Sequence, residues 1–514
     1  MVFSHKYLHV ARMKKNHISS LDGLRGIACL LVFNFHWAFD NGYGNRTEGM
    51  ASTVNLWWEL PWVTWMYAGK SMVYVFFVIS GYVLSYKPLT QIHQNRGTVA
   101  TACYSTLASS AFRRGIRLFL PTMVDTIFTA LLIRTPIFGL SIQTYLDTKI
   151  KRYYLDIWMG PKRPEDSFWK ELRAALTTCW GYVDSSMIPW TERDIDVRKY
   201  DDVHWTIPIE FKCSMLLFIL LLSTAHIRTR ARLVIHCLAC LYTFSNNRIA
   251  LFCFFAGMVL AEVDIIARVS GDTEHSPSTD HLLGAMDLES SAGHEDMELE
   301  KELMRRTTAG RSRGRQSSRC FFLRSKPATT TAWLAIFIFG IYLNVASLKP
   351  DAQPSAGYSV VVSKIVASLC GNSDPVEATR CLGAILVTWT VANTADTFIG
   401  SIFSNRLAQW LGRISFGIYL THLDVIRILG LSLIPFLYRF CAGVDALPNP
   451  YMWHEGGGLS EWQIFKIVIL GWLACLPFVL ICGHLFWYHV DQRAVSFSRY
   501  VEGKLKIPKA TRTG

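Results

Sequence analysis

The chain has 514 residues, of which 51% are apolar and only 18% charged, with 30 Phe, 20 Tyr and 17 Trp. This composition excludes the row of soluble domains that the length alone would allow, because soluble domains carry more charge and fewer aromatics. The net charge of +13 is what basic cytosolic loops give a membrane protein, and no nucleic-acid partner is expected.

The N-terminal stretch MVFSHKYLHVARMKKNH lacks the apolar core and small-residue site of a cleaved signal, so the first membrane helix is expected to be the anchor. Ten apolar windows follow, near 23–40, 66–86, 118–140, 208–225, 232–245, 249–267, 332–348, 380–395, 414–437 and 464–488. Most are long enough for a ~30 Å hydrocarbon core at ~1.5 Å per residue. The expected fold is therefore all-α, a polytopic membrane protein of about ten transmembrane helices.

With both termini cytosolic, the short inside segments hold 20 Lys and Arg and the short outside segments six, which is the expected bias. The first membrane half, 1–267, has six helices and a lumenal loop at 141–207 rich in Trp and Tyr. The second half, 332–490, has four helices, and 491–514 is a basic cytosolic tail. Between the halves, 268–331 is acidic and then basic, too polar to bury a core, and reads as a disordered cytosolic linker resting on anionic lipid. The segment YSVVVSKIVASLC, 358–370, reads as interfacial or re-entrant. An NRT sequon at Asn45 falls in the first outer loop.

The 13 Cys lie mostly in apolar windows, where thiols act as small hydrophobes, and neither a metal site nor a disulfide framework is expected. Ionisable residues are more informative. In SSLDGLRGIACLLVFNFHW, 19–37, eleven residues separate Arg25 from His36. At ~100° per residue they share one helix face, ~16 Å apart in depth. Asp22 lies three residues before Arg25 and can orient its guanidinium. Such residues cost at least ~2.5–3.5 kcal/mol inside a bilayer unless they face a partner or a polar cavity. A polar seam is the economical reading, against a lone buried His bonded to a carbonyl.

FFVISGYVLS, 76–85, holds Ser80 and Gly81 and reads as helix packing. FRRGIRLFLP, 112–121, places Arg113, Arg114 and Arg117 at the start of the third span, to bind phosphates or to snorkel. HWTIPIEF, 204–211, sets Glu210 in the fourth span behind Pro208. SFGIYLTHLDVIR, 415–427, buries His422, Asp424 and Arg427 in the ninth. Acids, bases and cations spread over distant spans point to a site assembled between helices.

In this order, LDGLRGIACLLVFNFHW, FFVISGYVLS, RRGIRLFLP, HWTIPIEF and SFGIYLTH resemble the motifs of acyltransferase family 3, the integral membrane O-acyltransferases with bacterial and fungal members. The resemblance runs from residue 21 to about 490, the linker excepted. It implies a ten-helix enzyme moving an acyl group, commonly acetyl, from cytosolic acyl-CoA to a hydroxyl of a sugar, lipid or secondary metabolite. His36 then matches the family's essential histidine, Arg25 its motif arginine, Glu210 its glutamate and His422 its ninth-helix histidine. Arg114 and Arg117, with Arg113, are expected near the CoA donor.

A neutral imidazole suits deprotonation of the acceptor hydroxyl, with His36 as base, and an acyl-His36 relay is the alternative. Departures from the family pattern are Pro208, Gln492 after Asp491, and the long insertion. The competing class is a proton-coupled transporter or channel using the same seam. The expected membrane is the endoplasmic reticulum or another internal one, with the plasma membrane as the alternative.

Overall fold

The structure is a computed structural model and describes residues 17–40, 61–94, 100–138, 164–187, 199–272, 327–345, 374–443 and 460–505. Its regular elements are all helical, with no strand among the described residues. In chain order they are α1 (His17–Asp40), α2 (Pro61–Trp65), α3 (Gly69–Gln94), α4 (Ala100–Ile133) and α5 (Phe168–Met187). A 3-10 turn (Asp202–Trp205) leads into α6 (Thr206–Thr224), followed by α7 (Thr229–Ser245) and α8 (Ile249–Asp272). Then come α9 (Pro327–Asn344), α10 (Pro375–Asn393), α11 (Phe398–Ser404) and α12 (Arg406–Val425). A π-turn (Ile426–Gly430) joins α12 to α13 (Leu431–Ala442), and α14 (Glu461–Phe486) runs through a second π-turn (Trp487–Asp491) into α15 (Gln492–Leu505).

Among the described residues six helices are long and apolar enough to cross a membrane, and a seventh span counts if the bent pair α10 and α11 is one. Their outer faces carry exposed Phe128, Leu131, Ile219, Leu222, Phe478 and Ile481, side chains suited to lipid rather than water. The protein is thus a multi-pass integral membrane protein. The segments 358–370 and Asn45 lie outside the described residues, as does most of 268–331. Compact packing divides the chain into residues 1–262 with 332–514, and residues 263–331. In the second unit Arg268 and Asp264 pair one helical turn apart.

Two features add to the sequence reading. The loop 141–207 contains α5, whose Trp169, Leu176, Trp180 and Met187 form an exposed stripe at helical spacing. Its other face buries Ala175, Cys179 and Tyr182, with the Cys179 thiol 3.8 Å from the Met123 carbonyl on α4. The C-terminal tail is helical to Leu505, and Glu502 pairs with Arg113 of α4 at 3.2 Å.

Helices meet where side chains vanish. α1 and α12 approach through Gly26 and Gly412: a Cβ on Gly412 would collide with the Asp22 carbonyl, and one on Gly26 with the Gly412 amide. Asp22 lies beside Gly412, Arg25 beside Ser415 and His36 beside His422, so the two helices run parallel. Trp37 closes the far end of α1, its indole N–H donating to Val468 O on α14 at 2.9 Å. On α4 and α6 the order reverses, Arg114 beside Ser214 and His204 beside Asp125, so these two are antiparallel.

Candidate active site

The polar residues of α1, α4, α6 and α12 form three successive layers. The first is cationic. Arg25 donates from Nη2 to Gly412 O at 2.8 Å and from Nε to Ser415 Oγ at 3.2 Å. Asp22 Oδ1 lies 3.4 Å from the same guanidinium, which is the orienting role expected from the i, i+3 spacing. Arg114 pairs with Glu210 at 2.5 Å and donates to Ser214 Oγ at 3.1 Å. Ser80 Oγ donates to the same Glu210 oxygen at 3.2 Å. The sequence reading of Ser80 and Gly81 as packing therefore covers only Gly81, whose absent Cβ admits the Phe254 carbonyl. Arg117 is exposed, and Asp491 lies within electrostatic range of both Arg117 and Arg25. Arg113 is partly held by Glu502.

The second layer is the histidine pair. His36 and His422 have ring centroids 5.2 Å apart, so the shared face of Arg25 and His36 does point at α12. His422 is fully buried, and its Nδ1 stands 2.8 Å from Tyr419 O and 3.0 Å from Ile418 O. Carbonyls only accept, so Nδ1 carries the proton. In the neutral ring Nε2 is then a lone pair, and this buried nitrogen has no hydrogen-bond partner among the described residues. Two imidazoles this close resist holding positive charge together.

The third layer, beyond His422 along α12, was only half legible in the sequence. Asp424 Oδ2 accepts from Thr129 Oγ1 at 2.6 Å, and Arg427 Nη1 donates to Tyr200 O at 2.7 Å. Asp125 of α4, Asp201 and His204 join them, all three fully buried. His204 was quoted in a motif and Asp125 sits alone in an apolar window, which is by itself a signal. Asp201 gives no such signal, since it lies in a polar stretch before the span.

The structure thus brings Asp22 and Arg25 together, Arg114 with Glu210, and His36 with His422. Fold and site define a multi-pass membrane protein with an internal imidazole pair and, about three helical turns away along α1, a layer of arginines. Residues 18–268, just under half of the chain, match the family described as an acyltransferase domain, which bears out the resemblance to acyltransferase family 3. It is 26% identical to O-acetyltransferase PaAT-1 of Phomopsis amygdali over 506 residues, 97% of this chain and 87% of that protein. It is 24% identical to Acyltransferase R4 of Phoma sp. (strain ATCC 20986 / MF5453), covering 88% of this chain and 90% of the relative. Acyltransferase clz18 of Cochliobolus lunatus is also 24% identical, with the same coverage. No solved structure matches the chain.

Proposed function

We propose that the protein is an acyl-CoA-dependent O-acyltransferase, using acetyl-CoA first of all, whose acceptor is a hydroxyl of a small molecule, lipid, sugar or secondary metabolite. The observation that carries the reading is the His36–His422 pair on the same two helices as Arg25, with the arginine layer about three helical turns away along α1.

In the proposed reaction His36 takes the proton of the acceptor hydroxyl as its oxygen attacks the thioester carbon. The C–S bond breaks, CoA leaves as thiolate, and the proton passes from the imidazole to that sulfur. His422, held in the tautomer with a free Nε2, receives a hydrogen bond or the proton itself, so that only one ring is charged at a time. Arg25, Arg114 and Arg117, with Arg113, face the CoA phosphates. Glu210 positions Arg114. An acyl-His36 intermediate is the alternative route to the same products.

The arginine layer is assigned to the cytosolic side, where acyl-CoA resides, with both termini cytosolic and ten spans in all. The parallel run of α1 and α12 supports this count, because the first and ninth of ten spans must cross in the same direction. An internal membrane such as the endoplasmic reticulum is the proposed location. The names of the relatives, one an O-acetyltransferase, favour acetyl as the group moved.

The test is transfer of labelled acetyl from acetyl-CoA in membranes holding wild type or His36→Ala, with a panel of hydroxylated acceptors. Labelled product that disappears in the folded variant supports the proposal. Turnover that survives in His36→Ala refutes His36 as base.

A further inference from the structure

The third layer contains more unpaired polar atoms than a membrane interior tolerates. Asp125 Oδ1 and Oδ2, Asp201 Oδ2 and His204 Nε2 are all buried without a hydrogen-bond partner among the described residues. Their potential ligand atoms lie within 4.8 Å of one another.

The hydrogen atoms around His204 can be counted. Thr126 Oγ1 donates its single proton to Thr122 O at 2.9 Å. It must therefore accept from Tyr182, whose hydroxyl stands 2.8 Å away. That uses the only proton of Tyr182, so the 2.8 Å contact between its oxygen and His204 Nδ1 requires Nδ1–H to donate. Nε2 is left pointing at Asp125 Oδ2, 3.2 Å away, and two acceptors at that distance need a positive charge between them. Asp201 is oriented from behind, because its Oδ1 accepts from the Val203 amide at 2.8 Å and leaves Oδ2 free.

We propose that Asp125, Asp201 and His204 form a divalent-cation site, with zinc or a neighbouring first-row metal as the ion. Two carboxylates and one imidazole are oxygen and nitrogen ligands of the kind zinc takes, and a tetrahedral ion with ligands at ~2.0 Å sets them ~3.3 Å apart. An imidazole whose other nitrogen donates to a fixed oxygen is the usual arrangement at such ions. Charge agrees as well: Asp424 and Arg427 offset each other nearby, and a divalent ion cancels Asp125 and Asp201. The ion would tie α4 to the turn that precedes α6, and so set the depth of Glu210 and the neighbouring His422, which feels the field of Asp201.

The experiment uses full-length protein purified in detergent through a tag without histidine and without chelator. Metal content is measured by mass spectrometry, and thermal unfolding is followed before chelation, after it, and after zinc or manganese is restored. The expected result is one equivalent of metal per chain, a melting midpoint that falls on chelation and recovers with the ion, and loss of the metal in Asp125→Asn and Asp201→Asn. A wild-type protein that carries no metal, and whose midpoint ignores every added divalent ion, overturns the proposal. It would make the positive charge a proton on His204 instead. Full metal content retained in a folded Asp125→Asn also overturns it, by placing the ion elsewhere. The wild-type measurements stand even if the variants do not fold.

Discussion

Replacing Gly412 by Ala tests how tightly the site depends on helix contact. An added Cβ would sit about 1 Å inside van der Waals distance of the Asp22 carbonyl, which is backbone and has no rotamer to yield. α1 and α12 must therefore separate or slide by roughly that much, at the ~1–3 kcal/mol typical of overpacking. His422 lies ten residues beyond Gly412 and His36 fourteen beyond Asp22 on the same two helices, so the shift reaches their 5.2 Å pairing and the anchor from Arg25 to Gly412 O. Misplacement by ~1 Å at a reacting group costs on the order of 100-fold in rate. The assay pairs thermal unfolding in detergent with acetyl transfer at saturating acetyl-CoA. The expected outcome is a modest drop in melting temperature and a loss of turnover far larger than the unfolded fraction explains. Wild-type turnover and stability in Gly412→Ala would refute the idea that this crossing holds the imidazoles in register.

Other expectations follow from the same geometry. His422→Gln keeps a donor for the Ile418 and Tyr419 carbonyls but removes the basic Nε2, and should reduce kcat by ~100-fold or more with little change in stability. Equal kcat in the two proteins would remove His422 from the proton path. Glu210→Gln weakens the hold on Arg114, and should raise the KM for acetyl-CoA several-fold while its acceptor KM stays near wild type. A change confined to the acceptor KM would place Glu210 on the other substrate. Arg25→Lys loses the planar fork that serves Gly412 O, Ser415 Oγ and Asp22 at once, so it should behave like Arg25→Ala in transfer assays. Tyr419→Phe removes the 2.8 Å bond to Val203 O and the 2.6 Å bond with Thr206 Oγ1, leaving Thr206 to serve that carbonyl at 3.2 Å, and should cost ~1 kcal/mol in thermal or denaturant unfolding. A loss several times larger would mean that Tyr419 supports more of the Asp201–Trp205 turn than these bonds account for.

Composition and apolar windows were enough to establish an all-helical membrane protein, because spanning a bilayer forces backbone hydrogen bonds to close within each helix. The 3.6-residue period placed Arg25 and His36 on one face, and α12 meets that face. The i, i+3 spacing likewise put Asp22 at Arg25. These inferences are local, and a helix carries its geometry wherever it packs. Partners across helices are a different matter. That Glu210 takes Arg114 and Ser80, that His422 rather than a carbonyl stands opposite His36, and that Asp125, Asp201 and His204 converge all depend on where separate helices cross. Those crossings are set by glycines fitted against backbone, such as Gly412 on Asp22, and such fits are matched in three dimensions between segments almost four hundred residues apart. The tertiary structure therefore decided which charges share a layer, because charges with no water nearby take whichever partner the packing brings within reach.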